Sequence, residues 1–178
     1  MTSFRKIRSY PDRLIMILTV LILFSGFPGI KSQVHPPHPP RPIRLDVIQT
    51  LGFGAFYIGS TGGSITVNTS GIRSVTGDVV PLNLAGYPYF QALIEIRAHP
   101  GTVITFSIEP VVYLTRDGGG GAMRLDAGPS SPLSPIVATS RFSEPIELYI
   151  GGKLSVGNLT ANPTGNYSGQ FEIIFMQQ

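Results

Sequence analysis

From Ile43 onward, apolar side chains return at every second position rather than every third or fourth. Ile43, Leu45 and Val47 alternate with Arg44 and Asp46, and Leu51 and Phe53 resume the phase after Gln49. A period of two predicts strands with one face turned to a core. Residues 51–67 (LGFGAFYIGSTGGSITV) then pass through Gly59, Gly62 and Gly63 before alternation resumes at Ile65 and Val67. This stretch predicts two short strands joined by a corner whose glycines need positive φ or close backbone approach. Further strands are expected at residues 65–68 and 73–81, with a turn at 69–71 and an irregular segment at 82–88.

The clearest hairpin follows. Phe90, Ala92, Ile94, Ile96 and Ala98 alternate with Gln91, Leu93, Glu95 and Arg97. His99-Pro100-Gly101 then supplies the residues of a type II turn, and residues 103–108 return. Strands are predicted at 111–115 and 122–125 around the mobile tip RDGGGG, with a Pro/Ser-rich loop at 127–134. Residues 145–150 and 153–156 read as two strands separated by Gly151-Gly152, and 158–165 as loop. The last strand, 167–176, has the longest alternating run, with Tyr167, Gly169, Phe171, Ile173 and Phe175 on one face. The segment from Tyr57 to Val67 is echoed from Tyr149 to Val156, as if two glycine corners held equivalent places. Strands spaced about 8–12 residues apart predict an all-β domain over residues 43–178: a single immunoglobulin-like or pilin-like β-sandwich of about 7–10 short antiparallel strands.

Before Ile43 the pattern changes. Arg5, Lys6, Arg8 and Arg13 precede the apolar run 14–24 (LIMILTVLILF), and Ser25, Gly26 and Pro28 follow it. This predicts a helical export signal over residues 1–32, cleaved after Ser32, and places the product in the periplasm, on the outer surface or outside the cell. A retained anchor would need about 20 apolar residues, and the run breaks at Pro28-Gly29. Residues 33–42 (QVHPPHPPRP) hold five prolines in ten positions, which predicts an extended polyproline spacer rather than a strand.

Removing the signal reverses the charge. Of thirteen Lys/Arg and ten Asp/Glu, the first 32 residues hold five and one, so eight and nine remain and the formal charge falls from +3 to −1. No basic patch is left for nucleic acid, and no membrane contact is expected after cleavage. The chain has no cysteine, which excludes disulfides, thiolate chemistry and lipid attachment through that residue.

Candidate chemistry is sparse, and no catalytic, cofactor-binding or metal-binding residue is assigned. His99 is the one histidine of the domain, and a turn offers it no oriented base–nucleophile partner. Residues 118–121 lack the Gly-Lys-Ser/Thr that completes a phosphate loop. Asp117 and Asp126 lack the ligand spacing of a calcium site. Asn68, Asn158 and Asn166 begin formal glycosylation sequons that turn chemistry also explains. His35 and His38 share a face of the spacer, and with Gln33 as the mature N-terminus His35 would stand third, where amine, amides and imidazole can surround Cu(II). Cyclisation of Gln33 would block that amine.

Several ordered motifs carry a family resemblance. They are Gly54-Ala55-Phe56, Thr61-Gly62-Gly63, Ser70-Gly71-Ile72-Arg73-Ser74, Thr76-Gly77-Asp78-Val79-Val80, Pro100-Gly101-Thr102, Ile150-Gly151-Gly152-Lys153-Leu154 and Gly165-Asn166-Tyr167-Ser168-Gly169-Gln170-Phe171. From Ile43 to the C-terminus the chain resembles an exported bacterial β-sandwich family of unknown function, common in proteobacteria and Bacteroidetes-type bacteria. Ser64-Ile65 stands where the family pattern has Thr-Val. Members are often likened to pilin-like surface subunits, so the resemblance implies export and strand pairing with itself or other subunits, and no known activity. Gly165 lies fourteenth from the end, as in chaperone-assembled pilins, whereas Gln177 replaces their penultimate aromatic residue. The spacer cannot donate a strand because prolines lack N–H groups. Residues 43–53 are expected to be the domain's own first strand and the last strand an interior one. The function expected is a non-enzymatic structural or adhesive surface subunit, or alternatively a glycan-binding module presenting Tyr87, Tyr89 and Tyr113.

The two spacer histidines are expected to be solvated rather than metal-bound. Titration of the mature protein with Cu(II) should therefore produce no d–d absorption band, and a band saturating at one equivalent would establish the N-terminal site.

Overall fold

Alternation becomes antiparallel strand almost everywhere in residues 41–178, which a computed structural model describes. The predicted export signal, His35, His38 and most of the spacer lie outside the described residues. Thirteen strands form and no helix is present among the described residues. Nine strands have five or more residues: β1 (Arg44–Gln49), β3 (Phe56–Val67), β4 (Arg73–Pro81), β6 (Ala92–Arg97), β7 (Val103–Ile108), β8 (Val111–Arg116), β9 (Ala122–Ser131), β11 (Ile146–Val156) and β13 (Ile173–Gln177). Four are two-residue pairings: β2 (Gly52–Phe53), β5 (Tyr89–Phe90), β10 (Ile136–Val137) and β12 (Tyr167–Ser168).

The organising strand is β11. Its first half pairs with β6, from Ile146 opposite Ile96 to Ile150 opposite Ala92. Its second half pairs with β3, from Gly152 opposite Val67 to Val156 opposite Gly63. Both partners occupy one edge, because β9 runs along the other from Tyr149 to Ser155. The large sheet has the order β1-β6-β11-β9-β8-β12, with β3 and β4 joined to the second half of β11. A smaller sheet runs β10-β7-β13, and β2 pairs with β5. A Cβ on Gly151 would stand 2.5 Å from the Val67 carbonyl oxygen, and one on Gly152 would stand 2.8 Å from the Leu51 side chain. The backbone approach at Gly151 requires glycine where β11 changes partner, whereas at Gly152 the neighbours are the movable ends of Leu51 and Leu125.

Two hydrophobic clusters follow from this exchange. The first joins Phe53, Ile58, Ile65, Val67, Val79, Val112, Met123, Leu125, Leu154 and Val156. The second joins Ile94, Ile96, Leu148 and Ile150 of the large sheet to Ile104, Phe106 and Ile136 of the small one. Leu51 and Phe171 pack against both clusters.

The structure corrects six sequence expectations. The strands on either side of His99-Pro100-Gly101 are not a hairpin: β6 pairs with β1 and β11, and β7 with β10 and β13, so the turn carries the chain from the large sheet to the small one. Residues 146–156 form one strand rather than two, with the glycine pair inside it. The glycine corner in 51–67 is a bend within continuous β3. Between the pairs Ile58–Val79 and Gly63–Gly77, β3 advances five residues while β4 advances two. The extra backbone is held by Asp78, whose carboxylate accepts from the Ser60 hydroxyl at 3.3 Å and the Thr61 N–H at 3.4 Å. The echoed glycine segments are therefore paired neighbours, β3 against β11, rather than equivalents.

The Pro/Ser-rich stretch also extends β9 to Ser131. Ile150 and Gly152 of β11 face Ser130 and Ala127, so β9 carries one extra residue there. Pro129 sits in that bulge, where a missing N–H breaks no ladder bond. Finally, the last run is two strands at two sheet edges rather than one interior strand. β12 pairs with β8, and after residues 169–172 β13 pairs with β7. Alternation persists because Tyr167 faces the first cluster, Phe171 both, and Ile173 and Phe175 the second.

Gly62 has φ +75°, whereas Gly63 is not among the positive-φ glycines. Gly63 is required instead because its Cβ would overlap the Thr76 carbonyl oxygen. Gly63→Val should cost at least about 2 kcal/mol by urea unfolding. Gly62→Ala should also destabilise, and wild-type midpoints for both variants would show that the ribbon tolerates side chains there.

Candidate functional site

Arg73 is the one basic residue between Arg44 and Arg97, and it begins β4. Its Nη1 donates to the carbonyl oxygens of Phe53 at 3.2 Å and Ala55 at 3.3 Å. Its Nη2 donates to the Leu82 carbonyl at 3.4 Å and to Asn83 Oδ1 at 3.3 Å. Leu82 follows the far end of β4, so the β3–β4 ribbon is folded back on itself at the bulge. A guanidinium suits this junction because its five donors are fixed in a planar fork. Its flat face also lies over the Tyr89 ring, with Cζ 4.3 Å from the centroid, a contact worth about 0.5–1 kcal/mol at an exposed position.

The segment thus tied down presents apolar surface. Leu82, Asn83, Leu84, Tyr87, Pro88 and Tyr89 line a shallow, open hollow of about 350 Å³. Tyr87 is 53% exposed and Leu84 52%. Aromatic faces beside polar groups can stack on a flat apolar ligand surface such as a sugar ring. Tyr113, the third tyrosine expected at such a surface, does not line the hollow. It lies on β8 opposite Arg124 of β9. The hollow contains no acid, imidazole or nucleophile.

The remaining candidates occupy scaffold positions. His99 stacks on Phe142, centroids 4.9 Å apart, and its Nδ1 lies 3.5 Å from Arg41 Nη1. Asp126 pairs with Arg124 at 2.7 Å, which together with the charge of Asp126 raises the Arg124 pKa. Asp126 faces Val111 and Asp117 lies beyond Arg116, so the length of the β8–β9 hairpin separates the two carboxylates. Among the described residues no group of three or more His, Asp or Glu could hold a metal ion. The glycines 118–121 form the hairpin tip, where Arg116 donates to Gly119 O at 3.0 Å and Thr164 O at 2.9 Å. Asn68 caps a turn by accepting from the Ser70 and Ile72 N–H groups, and Asn158 accepts from Ala161 N–H.

Sequence reasoning overlooked Arg73 as a tie and Asn162 as a buried bridge. Asn162 Oδ1 accepts from Gly157 N–H, and its Nδ2 donates to Ala122 O at 2.7 Å. The only local signal was its place before Pro163, which marks a turn. The outward face of β1, β6 and β11 carries ion pairs of Arg44 with Asp46 at 3.0 Å and Arg97 with Glu95 at 2.8 Å. On the same face the Tyr149 hydroxyl donates to the Glu147 carboxylate. That bond, then desolvation and the charge of Glu147, hold the phenol above the ordinary tyrosine pKa.

The second feature with binding potential is a sheet edge. β13 pairs with β7 alone among the described strands. At the neighbouring margin, Leu45 and Val47 of β1 are 40% and 69% exposed, although they stand opposite the buried Ile96 and Ile94.

The model of a family described as Domain of unknown function (DUF4402) matches residues 45–175, from β1 into β13. No curated protein and no solved structure matches the chain.

Arg73→Ala removes four hydrogen bonds and the cation–π contact. It should cost about 1–3 kcal/mol and speed amide exchange around residues 82–89 more than elsewhere. Arg73→Lys should recover only part of this, and unchanged exchange in Arg73→Ala would remove the tie from the account.

Proposed function

The chain belongs to the DUF4402 family of unknown function over residues 45–175, and on that premise we propose that it is a non-enzymatic, exported structural or adhesive subunit of the bacterial surface. In this reading the domain is an immunoglobulin-like or pilin-like β-sandwich, with the small sheet as the second layer over β6 and the first half of β11. The N-terminal signal pattern and the proline-rich spacer support export and a stand-off from the point of attachment. The observation that carries the subunit reading is the edge of β13, a strand of five residues that meets no described strand on one side. Open edges are the surfaces through which β-domains add strands from other chains. Partners are then further copies or other surface subunits, with no role for nucleic acid.

A specific observation favours a second reading. The hollow at Tyr87 and Tyr89 offers aromatic faces to a glycan, in a module that binds rather than assembles. Size-exclusion of purified residues 33–178 distinguishes the two. Concentration-dependent or SDS-resistant multimers are expected for the subunit, whereas a monomer at every concentration that is retained on a glycan array would replace it with the binding module.

A further inference from the structure

We propose that the open edge of β13 is where a second copy of this chain docks, forming a two-fold β13–β13 antiparallel ladder centred on Phe175. The proposal rests on the surface-subunit reading and names the surface that reading requires.

Backbone parity identifies the free groups. Gln178 N–H donates to Val103 O at 2.9 Å, Val103 N–H to Gln178 O at 3.3 Å, and Glu109 N–H to Glu172 O at 2.9 Å. The register between these ends is unbroken, from Ile173 opposite Ile108 to Gln177 opposite Ile104. Successive residues of an antiparallel strand bond to opposite sides, so residues 172, 174, 176 and 178 face β7. The N–H and C=O groups of Ile173, Phe175 and Gln177 therefore point to the open side, where no described strand meets them.

The other edges are blunted. β1 carries Arg44 and Asp46, β4 carries Asp78 and Pro81, and β10 and β12 are two residues long. β13 reads IIFMQ, without charge, proline or glycine. Natural sheet edges normally hold such devices against strand addition, and this edge has none.

The core beside it is also under-covered. Leu45 and Val47 lie on the core side of the large sheet, opposite Ile96 at 0% and Ile94 at 6% exposure, yet remain 40% and 69% exposed. β13 reaches this margin, since Gln177 Oε1 accepts from Ile43 N–H at 3.1 Å. A strand laid along the open side of β13 extends the small sheet under β1 and covers both side chains.

The occupant is a second copy because the strand complements itself. With no charged side chain in residues 173–178, two copies oppose no like charges, and an acidic or basic partner finds nothing to hold. In the two-fold register Phe175 faces its own mate and Ile173 faces Gln177 of the other copy, giving about six N–H···O bonds. Ile174, 59% exposed, then meets Met176 of the other copy, 56% exposed. The proline-rich segment of residues 33–42 cannot compete, because Pro36, Pro37, Pro39, Pro40 and Pro42 have no N–H to donate. An isologous pair closes on itself, so this edge makes dimers rather than filaments.

The absence of cysteine allows a clean crosslinking test on the full chain. Positions 174 and 176′ form a non-hydrogen-bonded cross-strand pair with Cβ atoms about 4.5–5.5 Å apart, close to disulfide range. Mild oxidation of I174C/M176C should give roughly tenfold more covalent dimer than I174C or M176C alone, whose mates lie two residues off register. I174K/M176K, altered only at exposed positions, should keep the wild-type melting midpoint while losing concentration-dependent dimer. Multimers that persist in I174K/M176K, or double and single cysteine variants that crosslink equally, would overturn the β13 edge and leave the subunit reading standing. Wild-type protein that is monomeric at every concentration, with no I174C/M176C crosslink, would overturn both.

Discussion

Close backbone approach at Gly151 is the constraint on which the rest of the structure depends. At that point β11 leaves β6 and takes up β3 on the same edge, while β9 continues along the other through its one-residue bulge. Any side chain at Gly151 would drive the Val67 carbonyl away and separate β3 from the sheet. With β3 would go β4, which pairs with no other described strand. The Asp78-braced bulge and the Arg73 junction depend on this exchange, because both act within the ribbon that β11 anchors.

The same exchange explains why the interior is divided. Residues on the first half of β11 pack toward the small sheet, and those on the second half pack toward the folded-over ribbon. Leu51 and Phe171, which touch both clusters, are where the two become one hydrophobic body. The chemistry of the surface is correspondingly plain: short-range ion pairs lie on the outward face of β1 and β6 and on β9. Such exposed pairs contribute little to stability, and burial of β-branched and aromatic side chains does most of the stabilising.

Much of the fold was legible from alternation. The strand at Arg73–Pro81, the turn at His99-Pro100-Gly101 and the irregular 82–88 segment stand where the pattern placed them, and Thr102 N–H closes that turn on His99 O at 3.1 Å, although the strands it joins lie in different sheets rather than in a hairpin. Glycine and proline were the misleading letters. They mark breaks only when the backbone ends there, whereas Gly59–Gly63, Gly151-Gly152 and Pro129 sit inside paired strands at bulges and close approaches. Which of these a glycine serves depends on the neighbouring strand, and a single sequence does not display its neighbours. The change of sheet between β12 and β13 was hidden for a related reason: both clusters lie on the same side of the chain, so alternation runs through without a fault. Of the three tyrosines expected together, Tyr87 and Tyr89 share the hollow and Tyr113 does not. Arg73 was not legible as a tie, because its partners are mostly carbonyls of distant segments.

The late position of β13 has a consequence for the making of the protein. Ile108 finds Ile173, and Ile104 finds Gln177, across a long stretch of intervening chain, so this pairing is among the most non-local in the fold. Such contacts form slowly, after the loop entropy they require has been overcome. A chain emerging from its N-terminus completes β7 long before its partner exists, and β7 then stands as an unshielded hydrogen-bonding edge. That edge of β7 is exposed to unwanted association in the interval before β13 arrives.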